Sequence, residues 1–241
     1  MPLQRDAVAR AAIRLLDQVG LDHLTMRRLA THLQIQNPSL YWHFVNKRQL
    51  LQGMTEIMVS DALVHLRSPE EGSDWAGWIA DYARTLRRMM LAHRDGARFF
   101  AEADLLLVDP FVRSIDVAVG VLLDAGFDSR TAVVSIVAIL KYVLGGAVEL
   151  QSKPAHSRRQ AGNGKEKASP RGVDPKRYPR LAGLVAAHGT PRTEVERWFE
   201  EGLSLILSGM QADLAKTGAL ATKPEQSTAP LKRLRTAGQI R

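Results

Sequence analysis

Residues 37–44 read NPSLYWHF, gathering an amide, a hydroxyl, a phenol, an indole and an imidazole into two helical turns. At helical spacing Leu40 and Phe44 share one face and point inward. Asn37, Ser39, Tyr41 and His43 are left outward, with Trp42 at the edge. These groups donate and accept hydrogen bonds and offer flat apolar area, which suits the reading of base edges in a DNA major groove. Lys47 and Arg48 follow at the start of the next helix, where a cation and the helix N-terminus can together hold a phosphate. A purely structural role, packing against that next helix, is the competing reading for Trp42 above all.

The elements that must hold this stretch are legible nearby. Over residues 4–19 the positions Val8, Ala12, Leu15, Leu16 and Val19 make one apolar stripe, with Gly20 as the stop. Thr25 is the expected cap of a short helix whose inner face is Met26, Leu29, Ala30 and Leu33. QIQ (34–36) is the turn, Asn37 the expected cap of the third helix and Pro38 its first residue. Two helices joined by a tight turn, braced by a first, are the helix-turn-helix layout.

Beyond residue 50 the pattern stays helical, and no stretch alternates with a period of two, so the fold class expected is all-α. A long helix over 46–66 leads into a body with helices near 75–92, 96–104, 109–125, 129–150, 175–188 and 192–215. The domains expected are a head at 1–50, a ligand-binding and dimerisation body at 51–215 with a flexible basic loop at 152–180, and a disordered basic tail at 216–241. The run TAVVSIVAILKYVLGGAVEL (131–150) is long enough to raise a membrane span, but Lys141 and the Gly145–Gly146 pair argue for burial in the body and in a dimer interface.

Net charge is +8, unevenly placed: residues 1–50 carry +4, 51–151 carry −5, 152–180 carry +7, 181–215 carry −3 and 216–241 carry +5. A basic head on an acidic body fits a nucleic-acid partner at one end. With no cysteine, disulfides, thiol chemistry and cysteine zinc sites are excluded. The sequence holds no glycine-rich phosphate loop, GxSxG or HExxH string, so no enzyme, cofactor or metal is expected. The N-terminus interleaves arginine with apolar residues, unlike a signal peptide, and the expected location is the cytoplasm.

Residues 5–51 resemble the DNA-binding head of the TetR family, through LLDQVGLDHLT, RRLA and PSLYWHFVNKRQLL. AHRDGAR (92–98), GFDSRTAV and LGGAVELQ are closer still to the tetracycline-repressor branch. The resemblance implies a homodimer, built on helices near 129–150 and 192–215, that binds a palindromic operator and releases it when a small molecule enters the body. By position it places Thr25 and Lys47 at phosphates. It places Arg27, Asn37, Pro38, Ser39, Tyr41 and His43 at or near base edges, with Arg28 and Trp42 beside them. Arg27 is the expected guanine reader.

Two departures stand out. The turn usually carries glycine where this chain has Gln34, so an altered turn geometry is expected. The metal-binding histidine of the tetracycline repressor, which holds a drug–magnesium chelate, falls at Phe100, which cannot ligate a cation. Tyr82 and Leu86 stand at its drug-binding asparagine and phenylalanine, and Glu149 matches a pocket glutamate. The effector expected is therefore metal-free and largely apolar, against walls formed by Tyr82, Leu86, Phe100, Ile115, Val119, Leu140 and Glu149. Asp95 is expected to cap the helix beginning near Gly96, with His93 at the C-terminal end of the helix before. The alternative function is a DNA-binding regulator whose body is a protein-interaction or ligand-independent dimerisation module.

Overall fold

A computed structural model describes residues 4–69, 74–152, 174–188 and 194–221. Most of the basic loop and tail, 153–173 and 222–241, lies outside the described residues. The described chain is helical throughout: α1 (Arg5–Val19), α2 (Met26–His32), α3 (Asn37–Tyr41), α4 (Lys47–Leu63), α5 (Trp75–Leu91), α6 (Gly96–Glu102), α7 (Asp109–Asp124), α8 (Ser129–Gln151), α9 (Pro179–His188) and α10 (Val195–Ala221).

At seven and five residues, α2 and α3 are too short to persist alone and take their stability from packing. Leu16, Leu29, Leu40, Phe44 and Leu50 are all fully buried in the head, each contributing about 1.5–3 kcal/mol by burial. The Phe44 ring lies against α4 at Gly53, where a Cβ would collide with it, and the Arg5 guanidinium covers it at 4.8 Å. Thr25 caps α2 as expected, its hydroxyl accepting from Arg28 N at 3.2 Å.

Several local expectations are corrected. Gln36, not Asn37, holds the N-cap position of α3, and its carbonyl accepts from Ser39 N. Pro38 therefore sits second in α3, still within the first turn, where a missing N–H costs nothing. The fourth helix is bounded more tightly than 46–66: Asn46 caps it by accepting from Gln49 N at 2.9 Å, and it ends at Leu63. At the other end α10 runs to Ala221, so the first six residues of the expected tail are helical. AKTGALA is rich enough in helix formers to carry it there.

The turn at Gln34 does not change shape. Gln34 takes φ 55°, the left-handed conformation a glycine would supply. Gln34→Gly is expected to raise stability by about 1 kcal/mol, read as a higher urea midpoint with an unchanged slope. A lower midpoint would show that the Gln34 side chain contributes more than its backbone costs.

In the body, α5 packs on α8, which also meets α6, α7 and α10, while α4 runs between the head helix α1 and the body helices α5 and α7. Asp74 and Asp128 cap α5 and α8 through their carboxylates. By length and composition α8 is apolar enough to cross a membrane, yet its sides differ. Ala132, Ile136, Ile139, Val143 and Ala147 are buried, whereas Val133, Val134 and Val137 are exposed.

Candidate nucleic-acid interface and its junction with the body

The outer face of the head is open. Asn37, Pro38, Ser39 and Tyr41 are exposed and His43 is half-buried. Trp42 is 89% exposed, so packing on the next helix is not its role. The reason is register: Leu40 and Phe44 take the inward positions and their neighbours cannot share them. An indole left in water at that level offers a large flat surface without a protein partner.

The cations around it differ in how they are held. Arg28 donates to the carbonyl of His23 at 3.2 Å and Lys47 Nζ to that of Leu21 at 3.3 Å, so both brace the turn between α1 and α2. Arg27 is exposed, and its side chain has no hydrogen-bond or ion-pair partner among the described residues. An ammonium has three donors, so Lys47 can hold Leu21 and still meet a phosphate.

Behind this face the AHRDGAR segment fastens the head to the body. Asp17 on α1 accepts from His93 Nδ1 at 3.0 Å and from Arg94 N at 2.9 Å, and Arg94 Nη1 donates to Gln18 O. Asp95 holds the N-cap position of α6 as expected, its carbonyl accepting from Phe99 N at 2.8 Å, but its carboxylate makes no cap bond. Asp95 stands at φ 55°, and its Oδ2 accepts from Leu21 N at 3.0 Å, a bond of the head that would otherwise lack a partner. The carboxylate is engaged with Leu21 N and makes no bond to the α6 amides.

Arg98 grips Asp22 with two nitrogens, at 2.7 and 3.0 Å, and Arg48 reaches Asp104 at 2.7 Å. The Arg98 guanidinium holds the Asp22 carboxyl below its ordinary value of 3.8, so this contact adds stability at neutral pH and loses it as pH falls through that lowered value. An NMR titration is expected to find Asp22 protonating below 3.8, and Arg98→Ala to return it towards 3.8. An unchanged midpoint in the variant would discount the contact.

The residue that sequence reasoning missed is Gln151, at the C-terminal end of α8. Its Oε1 accepts from Ala97 N at 2.8 Å, and its Nε2 donates to the carbonyls of Met90 and His93 at 3.0 and 2.9 Å. One side chain thus ties α8 to the corner between α5 and α6 that holds the head. The available signal was the LGGAVELQ string, which ends on it.

Of the seven expected effector walls, only Glu149 lines one of the cavities described among these residues. Tyr82, Leu86 and Phe100 are at most 2% exposed and serve as core. Phe100 meets Phe111 edge-on at 5.3 Å, and Tyr82 stacks on Trp78 at 5.7 Å. The Tyr82 hydroxyl bonds Ser114 Oγ at 2.9 Å, and burial pushes its pKa up to about 12, so it stays neutral. Ile115, Val119 and Leu140 are half-buried against the same core. Glu149 is exposed and lines a crevice of about 560 Å³ between α8 and α10, which none of the other six lines.

An exposed helix-turn-helix face on a larger helical body defines a DNA-binding regulator. Residues 9–54 match the family of bacterial regulatory proteins, TetR family, and residues 68–214 match the tetracyclin repressor-like C-terminal domain. The chain belongs to the TetR family of transcriptional regulators. It is 34% identical over 209 residues to the tetracycline repressor protein class C of Escherichia coli, covering 87% of this chain and 91% of that one. Among solved structures it is similar to a TetR variant of Acinetobacter baumannii AYE in complex with minocycline, with TM-score 0.62 and 31% identity over 87% of this chain and 97% of that one. It is also similar to a TetR family protein of Streptomyces coelicolor in complex with actinorhodin, with TM-score 0.71 and 28% identity over 88% and 97%. These relatives are regulators rather than enzymes.

Proposed function

We propose that this chain is a cytoplasmic repressor that binds a palindromic operator as a homodimer and lets go when a small, largely apolar molecule occupies the body. The observation that carries the reading is the open α3 face, with Trp42 89% exposed and Arg27 unengaged beside it. The exposed Val133, Val134 and Val137 of α8, which do not line the crevice between α8 and α10, form the apolar surface on which a second copy docks. Recognition helices about one DNA turn apart, roughly 34–36 Å, then meet two half-sites. Thr25 and Lys47 contact phosphates, and Arg27, Asn37, Pro38, Ser39, Tyr41 and His43 lie at base edges.

For the effector, the crevice between α8 and α10 is within the size range of small-molecule sites, roughly 300–1,000 Å³. Trp198, Phe199 and Leu205 give it an apolar wall, with Glu149 and Lys141 at its polar edge. Tyr82, Leu86, Phe100, Ile115, Val119 and Leu140 form the core against the inner side of α8, where Phe100 offers no metal ligand in the place of a histidine, and the effector is read as metal-free. A ligand that prefers one setting of α8 shifts the head through Gln151 and the junction, by the difference of its two binding energies and no more.

The test is release of the protein from a palindromic fragment upstream of its own gene, measured with tetracycline plus magnesium and with a panel of apolar compounds. Metal-independent release by an apolar compound is expected. Release by tetracycline only when magnesium is present would overturn the metal-free reading.

A further inference from the structure

A second cavity lies away from that crevice, where the head helix α1 and the lever α4 meet body helix α5. It is a groove of about 510 Å³. Its floor is apolar: Ile13, Met58 and Met89 line it, each at most 8% exposed. Its rim is basic. Arg10 is satisfied by Asp61 through two bonds at 2.7 and 3.0 Å. Arg88 bonds only the neutral Thr85 hydroxyl, at 2.9 Å, and Arg14 has no hydrogen-bond or ion-pair partner among the described residues. Three guanidiniums and one carboxylate line the groove, so two positive charges stand uncompensated over a hydrocarbon floor.

We propose that this groove binds a small soluble organic anion with an apolar body, its carboxylate held by Arg14 and Arg88 and its hydrocarbon laid on Ile13, Met58 and Met89. A planar guanidinium matches a carboxylate with two parallel bonds, and neither arginine must first give up an acidic partner. The floor selects an apolar body, because a hydrophilic anion laid on those side chains would lose water contacts and find no hydrogen-bond partner there. Since α1 and α4 frame the head and α5 belongs to the body, the ligand bridges the joint, making this a regulatory site distinct from the effector crevice. It shifts operator affinity to the extent that it prefers one angle of head to body.

The probe is 1-pyrenebutyrate, titrated into the full chain and followed by its own fluorescence, with neutral 1-pyrenebutanol as the matched control. This readout does not require that the chain bind DNA. The expected result is saturable binding of one pyrenebutyrate per chain, with pyrenebutanol at least about tenfold weaker. The double substitution Arg14→Gln, Arg88→Gln is expected to weaken pyrenebutyrate by at least about tenfold and to leave pyrenebutanol unchanged. Ala92→Trp, which fills the groove from its wall while both arginines stay in the chain, is expected to abolish both, and melting curves confirm that each variant folds. Equal affinity for the two probes, undiminished pyrenebutyrate affinity in the folded double variant or in Ala92→Trp, or no saturable binding would each overturn the proposal.

Discussion

Replacing Gly96 with alanine is expected to lower the unfolding free energy by about 2–4 kcal/mol, taking the overpacking cost of about 1–3 and adding about 1 for a lost hydrogen bond. Gly96 opens α6 in the corner where α5 ends, and a Cβ there would run into the carbonyl of Met90. The obstacle is backbone, which cannot swing aside as a side-chain tip can. That same carbonyl accepts from Gln151 Nε2, so moving it also loosens the clamp on α8. The control is Gly145→Ala on α8, where an added Cβ meets nothing within 4 Å and the change is expected to be neutral or stabilising by up to about 1 kcal/mol. Urea unfolding of the two variants side by side checks this, and equal midpoints would contradict the corner's role.

The corner also shows why some of the chain was legible from sequence and some was not. Thr25, the inward pair Leu40 and Phe44 and the helical body follow from spacing and capping, which are local properties. The roles of the AHRDGAR residues depend on partners far along the chain: Asp95 meets Leu21 across 74 positions and Ala97 meets Gln151 across 54. A sequence pattern marks such residues without saying whom they touch, which is why it placed Asp95 at the cap of α6 but not its carboxylate on Leu21 N. Position in the family pattern also put Tyr82, Leu86 and Phe100 at a ligand, and that they are buried against Trp78, Ser114 and Phe111 is a matter of packing in three dimensions that no local pattern carries. At Gln34 the competition went the other way. The turn between α2 and α3 is so fully determined by the burial of Leu29 and Leu40 on either side that a residue poorly suited to positive φ is carried into it.

On the head, the largest expected effect is on sequence discrimination. Arg27→Ala is expected to cost about 1–3 kcal/mol per half-site and to relax preference at one base position. The side chain is exposed and makes no bond within the described protein, so its five donors are all available to a guanine edge. Arg28→Ala should act differently, because Arg28 is spent on the His23 carbonyl, and its loss loosens the turn before α2 rather than one base contact. Lys47 holds the Leu21 carbonyl with one of its three donors and is proposed to hold a phosphate with another, so Lys47→Ala is expected to weaken every operator sequence alike and to reduce the salt slope by about 1 per half-site. Anisotropy titrations over a set of single-base operator variants at several salt concentrations separate the three. Uniform weakening by Arg27→Ala, or base-selective weakening by Lys47→Ala, would exchange the two assignments. Unchanged affinity in all three variants would instead move the reading of DNA onto the aromatic face, where Tyr41→Ala and Trp42→Ala would then carry the loss.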